Sequence, residues 1–141
     1  MITQKTTVTK GKIATRKWHL VDLEGQVLGR AATKIAAILV GKDLTTFSPN
    51  RDDGGVVVAI NAAKIVVTGG KEKTKIYYHY SGFPGGLKEM PFEALMKKDP
   101  RKVIEHAVAG MIPKNKLRSL RLARLKIFID DQHPYHDQIK P

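Results

Sequence analysis

Residues 110–126 concentrate positive charge on a short turn and a helix. The segment holds six Lys or Arg side chains and no acid. On a helix, Lys114, Arg118 and Arg121 recur at spacings of four and three, so they share one face. Such a face suits a polyanion, and phosphate backbone is the usual polyanion for an element of this kind. A solvated basic face without a partner is the alternative interpretation.

The apolar residues of the same segment are expected to anchor it. Leu117, Leu120 and Ala123 fall on the arc that adjoins the basic face. We therefore expect Leu117 and Leu120 to dock on a core while Arg118 and Arg121 point outward. A second basic stretch, at residues 71–80, interleaves lysines with tyrosines, which is typical of phosphate contact combined with base stacking. Tyrosines that simply pack on the core are the alternative there.

Motifs for catalysis, nucleotide binding and metal binding are missing or weak. Gly70 and Lys71 lack the upstream glycine and the following hydroxyl of a P-loop, and neither GxGxxG nor GxSxG occurs. His133 and His136 have HxxH spacing, but they stand in a proline-containing tail with no further ligand nearby. A surface or RNA-facing tail is therefore favoured over a metal site. We expect no catalytic residue, no metal and no cofactor.

Composition favours one domain with an anionic partner. A chain of 141 residues can bury roughly two-thirds of its unfolded surface in a single core. Its 25 Lys and Arg against 13 Asp and Glu give a formal charge of +12, which repels itself unless a polyanion neutralises it. There is no cysteine, no apolar N-terminal signal and no run of eighteen apolar residues. These features predict a soluble cytoplasmic protein that does not enter a membrane.

The N-terminal half predicts an arm followed by an α/β unit. Residues 1–15 are rich in Thr and Lys and should form an extended basic arm, while residues 16–141 form one domain. A strand is predicted at 18–23 and a helix at 27–40, ended by Gly41. After a loop at 45–55, residues 56–60 are continuously apolar. This run is typical of a parallel strand covered by helices on both faces.

The C-terminal half continues with short elements. Strands are predicted at 65–68, 75–80 and 125–129, helices at 91–98 and 99–109, and a polar tail at 130–141. Asp99 and Pro100 suit the N-cap and first position of the second helix, and Gly110 should end it. Residues 81–86 read as a glycine loop. At least one of Gly85 and Gly86 is expected to have a positive φ.

Several stretches together resemble one family, the bacterial form of large ribosomal subunit protein thirteen. The resemblance covers about residues 16–135 and is highly specific in its order, although each stretch alone is weak. The stretches are GRAA at 29–32, GK at 41–42, NAAK at 61–64, TG at 68–69, YY at 77–78, GFPGG at 82–86, GMIPKNKL at 110–117 and LKIF at 125–128. The chain departs from the family pattern at His79, Tyr80 and Tyr135.

The resemblance implies a three-layer α/β/α fold around a four-stranded parallel sheet. It also implies a structural, non-enzymatic protein of the cytoplasmic ribosome that binds large-subunit (23S) ribosomal RNA, adjoins other large-subunit proteins, helps early subunit assembly and forms no homo-oligomer. The residues expected to contact RNA are basic side chains and one amide: Arg16, Lys17, Arg30, Lys42, Lys71, Lys73, Lys114, Asn115, Lys116, Arg118, Arg121 and Arg124.

A small α/β enzyme acting on nucleotides or RNA is the rival hypothesis. It rests on the parallel-sheet pattern and the glycine loops alone. Such an enzyme needs a catalytic group at the carboxyl ends of the strands, where only Asp22 and Asn61 are candidates. A fold does not by itself imply a function, so the rival is disfavoured.

Overall fold

A computed structural model describes residues 15–139 as a mixed α/β structure. A single 3₁₀ turn occupies Ala62–Lys64. The strands are β1 (Trp18–Asp22), β2 (Val56–Ile60), β3 (Ile76–Tyr80), β4 (Leu87–Pro91) and β5 (Leu125–Ile127). The helices are α1 (Leu28–Val40), α2 (Lys71–Thr74), α3 (Phe92–Lys98), α4 (Pro100–Met111) and α5 (Arg118–Ala123). The predicted basic arm lies outside the described residues, apart from Thr15.

The central sheet has three parallel strands in the order β1-β2-β5. Trp18 pairs with Val56 at the start of β1, and Val57 pairs with Leu125 on the other side of β2. Because β2 is the middle strand, Val57, Val58 and Ala59 are fully buried. The predicted parallel strand covered on both faces is thereby confirmed. A continuous β-branched run provides apolar side chains for both faces of a pleated strand.

Helix α1 packs its small and branched side chains against the sheet and α4. Ala31, Ile35 and Leu39 recur at helical spacing and are completely buried. The predicted stop at Gly41 is confirmed, since this residue has φ +84° and its N–H bonds to the Ala37 carbonyl. A left-handed residue at this point satisfies carbonyls that the helix end would otherwise leave free.

Helix α4 begins as predicted. The Asp99 carboxylate accepts the Arg101 backbone N–H at 3.2 Å, and Pro100 takes the first helical position. The helix ends at Met111, two residues beyond the predicted end. Gly110 therefore does not stop it, because the Ile112 N–H still bonds to the Val108 carbonyl.

The four-stranded parallel sheet is not confirmed. Residues 65–68 contribute only an isolated bridge between Val27 and Val66, not a strand. The predicted strand at 75–80 forms as β3, but it pairs antiparallel with β4 in a separate two-stranded sheet. The expectation of a positive φ is confirmed at Gly85, which has φ +73° in the turn of this hairpin.

The C-terminal tail packs aromatic rings onto the domain. The Tyr135 ring lies 5.1 Å from that of Trp18 and 6.1 Å from that of Phe128, between centroids. His133 is buried beside Phe128 at 6.1 Å. Segment 130–139 is therefore held against the rest of the structure by its aromatic rings, although its composition is polar. Pairs of aromatic rings stabilise such a contact beyond the effect of the surface area that they bury.

Gly54 and Gly29 provide a matched pair of glycine substitutions. A Cβ at Gly54 would overlap the Leu39 backbone carbonyl, whereas a Cβ at Gly29 would meet nothing within 4 Å. We expect Gly54→Ala to lower the free energy of unfolding by about 1–3 kcal/mol or more through overpacking. Gly29→Ala, in α1, should be neutral or stabilising by up to about 1 kcal/mol. Urea unfolding followed by circular dichroism checks both, and equal stabilities would contradict the close packing of Gly54.

Candidate nucleic-acid interface

A short turn before α5 presents two lysines to solvent. The Asn115 side-chain oxygen accepts the Leu117 N–H at 3.1 Å, and its backbone carbonyl accepts the Arg118 N–H at 3.1 Å. These bonds fix the turn from within, as Asx turns commonly do. Lys114 and Lys116 flank Asn115, are exposed and form no ion pair with any residue of segment 15–139. Their charges are available to an external anion.

Helix α5 faces the opposite way from the prediction. Leu120 is 56% exposed, whereas Arg121 is 1% exposed. The prediction that Leu120 anchors the helix and that Arg121 points outward is therefore wrong. Leu117 is half-buried, as is Arg118. The helix docks through the Arg121 guanidinium, because the surface beneath it presents a backbone carbonyl and a carboxylate.

That carboxylate belongs to Asp52, which lies in the loop between α1 and β2. The two oxygens of Asp52 accept bidentate hydrogen bonds from Arg124, one of them at 2.7 Å. Arg121 Nε and Arg16 Nη2 each approach an Asp52 oxygen at 3.5 Å. We call these four side chains the Asp52 cluster. Only 12% of the Asp52 side chain is exposed, so the cluster is largely shielded from water.

Backbone carbonyls accept further hydrogen bonds from the three arginines of the Asp52 cluster. Arg124 donates to the carbonyls of Leu39 at 2.9 Å and Gly55 at 3.2 Å. Arg121 donates to the Arg51 carbonyl at 3.0 Å, and Arg16 donates to the Gly54 carbonyl at 3.0 Å. A guanidinium can serve several acceptors in one plane, which makes Arg suited to this task. The cluster therefore ties the end of α1, the 51–55 loop and α5 together.

The cluster also sets the charge state of Asp52. Burial raises the pKa of this carboxyl, but the Arg124 hydrogen bond and the charges of Arg124, Arg16 and Arg121 outweigh burial, so the net pKa is lowered from 3.8. Asp52 is consequently ionised at neutral pH. Its charge offsets part of the positive charge that the three guanidinium groups bring together.

Arg118 joins α5 to α4. Its Nη2 donates to the Ala109 carbonyl at 2.8 Å, while its Nε is buried without a hydrogen-bond partner in the part of the chain that the structure describes. Four of the predicted contact residues thus use donors within the protein: Arg16, Arg118, Arg121 and Arg124. Arg121 is only 1% exposed, so its side chain has almost no surface with which to contact a phosphate.

Two neighbouring hollows collect other predicted lysines. One, of about 430 Å³, is bordered by Lys42, Met111 and Pro113. The other, of about 230 Å³, is bordered by Lys71, Lys75 and the same Met111. The two hollows meet at Met111, which is 44% exposed and packs its sulfur 3.4 Å from the Thr33 hydroxyl. The structure therefore brings Lys42 and Lys71 to one surface. This surface continues through Pro113 to the turn formed by Lys114, Asn115 and Lys116, which we call the lysine turn.

Of the other predicted cations, two lie near this surface and one does not. Lys73 is exposed in α2, and Arg30 is exposed next to Gly29, which borders the second hollow. Lys17 lies apart, beside tail residues Asp137 and Gln138. Lys75, which stands 5.2 Å over the Tyr77 ring, was omitted from the predicted contacts although its neighbours in sequence were included.

Asp52, which holds α5 in place through its arginine contacts, is not among the residues singled out by the sequence. The loop that its Pro, Asn, Asp and Gly content predicts at 45–55 is confirmed. The available signal was an acidic pair in a chain with nearly twice as many cations as acids. Such a pair is a natural partner for arginines that the fold must bury.

The strand ends offer little to the enzyme hypothesis. Asn61 donates its side-chain N–H to Asp22 at 2.9 Å, and the same Asp22 oxygen accepts the Glu24 N–H at 3.0 Å. The Asn61 hydrogen bond, followed by that from Glu24, lowers the pKa of Asp22, so the carboxyl is a poor proton donor at neutral pH. Both side chains serve the turn after β1.

The tail histidines form a stacked pair. The rings of His133 and His136 are 4.0 Å apart, and His133 Nδ1 accepts the Tyr135 N–H at 3.2 Å. Within residues 15–139, no group of three or more His, Cys, Asp or Glu side chains is arranged to hold a metal. Over the same range, no helix is both long and apolar enough to traverse a bilayer.

A mixed α/β structure whose described residues gather exposed lysines on one surface, beside a fixed turn, has the basic patch of a nucleic-acid-binding protein. A family model described as "Ribosomal protein L13" matches residues 16–134. The chain belongs to this ribosomal protein family.

Curated relatives named "Large ribosomal subunit protein uL13" support the assignment. The chain is 48% identical to the protein of Clostridioides difficile (strain 630) over 134 residues, which covers 95% of this chain and 94% of the relative. It is 47% identical to that of Desulfitobacterium hafniense (strain DSM 10664 / DCB-2) over 92% of this chain and 90% of the relative. It is also 47% identical to that of Geobacter sulfurreducens over 94% and 93% of the two chains.

Substitutions at adjacent α5 positions test the orientation of the helix. Arg121→Ala should lower the free energy of unfolding by roughly 2–4 kcal/mol, because it removes a buried guanidinium and leaves the Arg51 carbonyl without its donor. Leu120→Ala, at an exposed position, should change it by no more than about 0.5 kcal/mol. Chemical denaturation measures both values. A larger loss of unfolding free energy for Leu120→Ala than for Arg121→Ala would mean that Leu120, and not Arg121, faces inward.

The lowered pKa of Asp52 predicts a pH-dependent stability. Its folded-state pKa lies below 3.8, so its contribution is complete above the unfolded-state pKa and is lost as the pH falls through the folded-state pKa. Asp52→Asn should lower stability at neutral pH by on the order of 3 kcal/mol. The difference between parent and variant should shrink below about pH 4. Urea titrations across this range measure the difference, and a gap that is constant with pH would contradict the ion-pair account.

Proposed function

We propose that this chain is a structural constituent of the large ribosomal subunit in the cytoplasm, where it binds large-subunit (23S) ribosomal RNA and has no enzymatic role. Membership of the ribosomal protein L13 family supports the placement. The single structural observation that carries the RNA contact is the fixed turn at Asn115, which exposes Lys114 and Lys116 with no acidic partner among residues 15–139.

The proposed RNA surface combines this lysine turn with the two hollows that meet at Met111. Lys114 and Lys116 neutralise phosphates at one end, and Lys42 and Lys71 do so at the hollows. Lysine suits this role because its compact charge turns freely on a flexible stem and follows a phosphate backbone without demanding one geometry. The Asn115 amide N–H₂ remains able to donate to sugar or base edges.

Other members of the predicted set have secondary places in the proposal. Lys73 and Arg30 widen the footprint beside the hollows, and Lys17 extends it near the tail. Arg16, Arg121 and Arg124 are not retained as contacts because their donors are used in the Asp52 cluster. Arg118 positions α5 against α4 through its hydrogen bond to the Ala109 carbonyl. Only the N–H groups of Arg118 that this bond does not use can contact RNA.

The proposed organisation is one domain at residues 16–141 with a basic arm at residues 1–15. A monomeric domain fits a site among ribosomal RNA and neighbouring large-subunit proteins, where RNA supplies the negative charge that the +12 chain lacks. The three-layer arrangement of the family fold belongs to the same proposal. Binding to RNA before the neighbouring proteins arrive would give the chain its role in early assembly.

Charge reversal at the lysine turn tests the proposal. Large subunits are reconstituted with equal amounts of parent chain and Lys114→Glu/Lys116→Glu, and the incorporated fractions are measured by mass spectrometry. The variant should fold, because both side chains are exposed, and should be under-incorporated. The deficit should depend on salt, since losing two phosphate contacts lowers the slope of log affinity against log salt by about 1.4 to 1.8.

A matched control reverses two exposed lysines of α3. Lys97→Glu/Lys98→Glu changes the net charge by the same amount at positions outside the proposed surface. It should be incorporated better than the lysine-turn variant at every salt concentration. Equal incorporation of the two variants would mean that net charge, and not the turn at Asn115, determines binding.

A further inference from the structure

The β3–β4 hairpin carries an exposed face that the proposed RNA surface does not use. Alternation along β3 places Ile76, Tyr78 and Tyr80 on one side. The strand register sets Leu87 opposite Tyr80 and Glu89 opposite Tyr78. Directly paired residues of antiparallel strands share a face, so these five side chains form one patch, which we call the tyrosine face.

The tyrosine face is largely open to solvent. Tyr78 is 63% exposed, Tyr80 is 62% exposed and Leu87 is 54% exposed. The other side of the hairpin is different, since Tyr77 and Met90 pack against the core. Phe83, in the turn between the strands, is 73% exposed and adds a further apolar side chain at the tip. Grouped exposed rings and aliphatic side chains of this kind mark a site of interaction.

The charge on this face indicates the kind of partner. The Glu89 side chain is exposed and forms no hydrogen bond or ion pair with another residue in the described segment of the chain. A carboxylate beside Tyr78 would repel the phosphates of any nucleotide stacked on that ring. Ile76 and Leu87 add aliphatic surface, which suits packing against side chains. The face therefore complements a cationic protein segment better than RNA.

We propose that the tyrosine face docks a basic segment of a neighbouring ribosomal protein, in which apolar side chains flank a Lys or Arg that pairs with Glu89. The inference rests on the proposed placement in the large subunit. Apolar residues of the partner would cover Tyr78, Tyr80 and Leu87, and exclusion of water would strengthen the ion pair at Glu89. Tyrosine suits such a site because its ring is apolar while its hydroxyl keeps a hydrogen-bond partner.

Site-specific cross-linking identifies the occupant. The chain is made with the photoreactive residue p-benzoylphenylalanine in place of Tyr78 and incorporated into large subunits, which are purified, irradiated and digested with ribonuclease and protease. The proposal expects a cross-link to a peptide of another ribosomal protein that contains Lys or Arg. A cross-link to ribosomal RNA, or none at all from purified subunits, would overturn it.

Charge variants give a second test that does not depend on the probe. In reconstitution against the parent chain, Glu89→Lys should be under-incorporated by about threefold or more, because it places like charges together, and Glu89→Gln should be affected less. Circular dichroism verifies that both variants are folded. If Glu89→Lys enters subunits as well as the parent, or better, the partner of this face is not a cationic segment.

The two proposals fail in distinguishable ways. If the unsubstituted chain is absent from purified large subunits, the proposed function is wrong. If the unsubstituted chain is present but the probe at Tyr78 reacts with RNA or with nothing, only the partner assigned to the tyrosine face is wrong.

Discussion

One carboxylate, that of Asp52, allows three arginines to be gathered inside a strongly basic domain. Arg16, just before β1, and Arg121 and Arg124, at the end of α5, converge on it. Without that negative charge the guanidinium groups would repel one another in a shielded site, where Coulomb energies are larger than in water. The position of α5, and with it that of the lysine turn, depends on this cluster.

The positive charges of the protein divide by residue type. Among the predicted contacts, four of the five arginines bind backbone carbonyls or Asp52, whereas Arg30 and all the lysines stay exposed. The planar guanidinium can satisfy several backbone acceptors at once, and it is less strongly hydrated than an ammonium group. Lysine loses more hydration on burial and so remains at the surface. Counting Lys and Arg together, as a net charge does, hides this division.

Local sequence signals predicted the elements that depend on neighbouring residues. The β-branched run at 56–60, the left-handed Gly41 and the Asp99-Pro100 start of α4 all stand where the sequence indicates. Each signal acts through steric or hydrogen-bond constraints within a few residues. Strand β4 was missed because LKEMP has no apolar alternation, its register being set by the facing strand β3.

The errors at the candidate site have a different physical origin. Helix α5 has a leucine arc and an arginine arc, and its own periodicity cannot decide which arc faces inward. The decision comes from the loop at 51–55, about seventy residues earlier, as the Arg121 and Arg124 hydrogen bonds show. The prediction of a fourth parallel strand has a similar origin. Residues 65–68 pair with another segment only through the bridge between Val66 and Val27. The exposure of Lys114 and Lys116 was predictable, because the local hydrogen bonds that shape their turn come from the neighbouring Asn115.

The position of β5 at the far end of the chain affects how the protein is made. Strand β2 is the middle of the sheet, but one of its neighbours, Leu125–Ile127, is synthesised almost seventy residues later. At an elongation rate of about 5–20 residues per second, the newly made Val56–Ile60 strand waits several seconds with one edge unpaired. During that time its continuous apolar run is open to unwanted strand pairing. When α5 and β5 have been synthesised, β5 covers the open edge of β2, and this pairing both completes the sheet and prevents unwanted pairing at that edge.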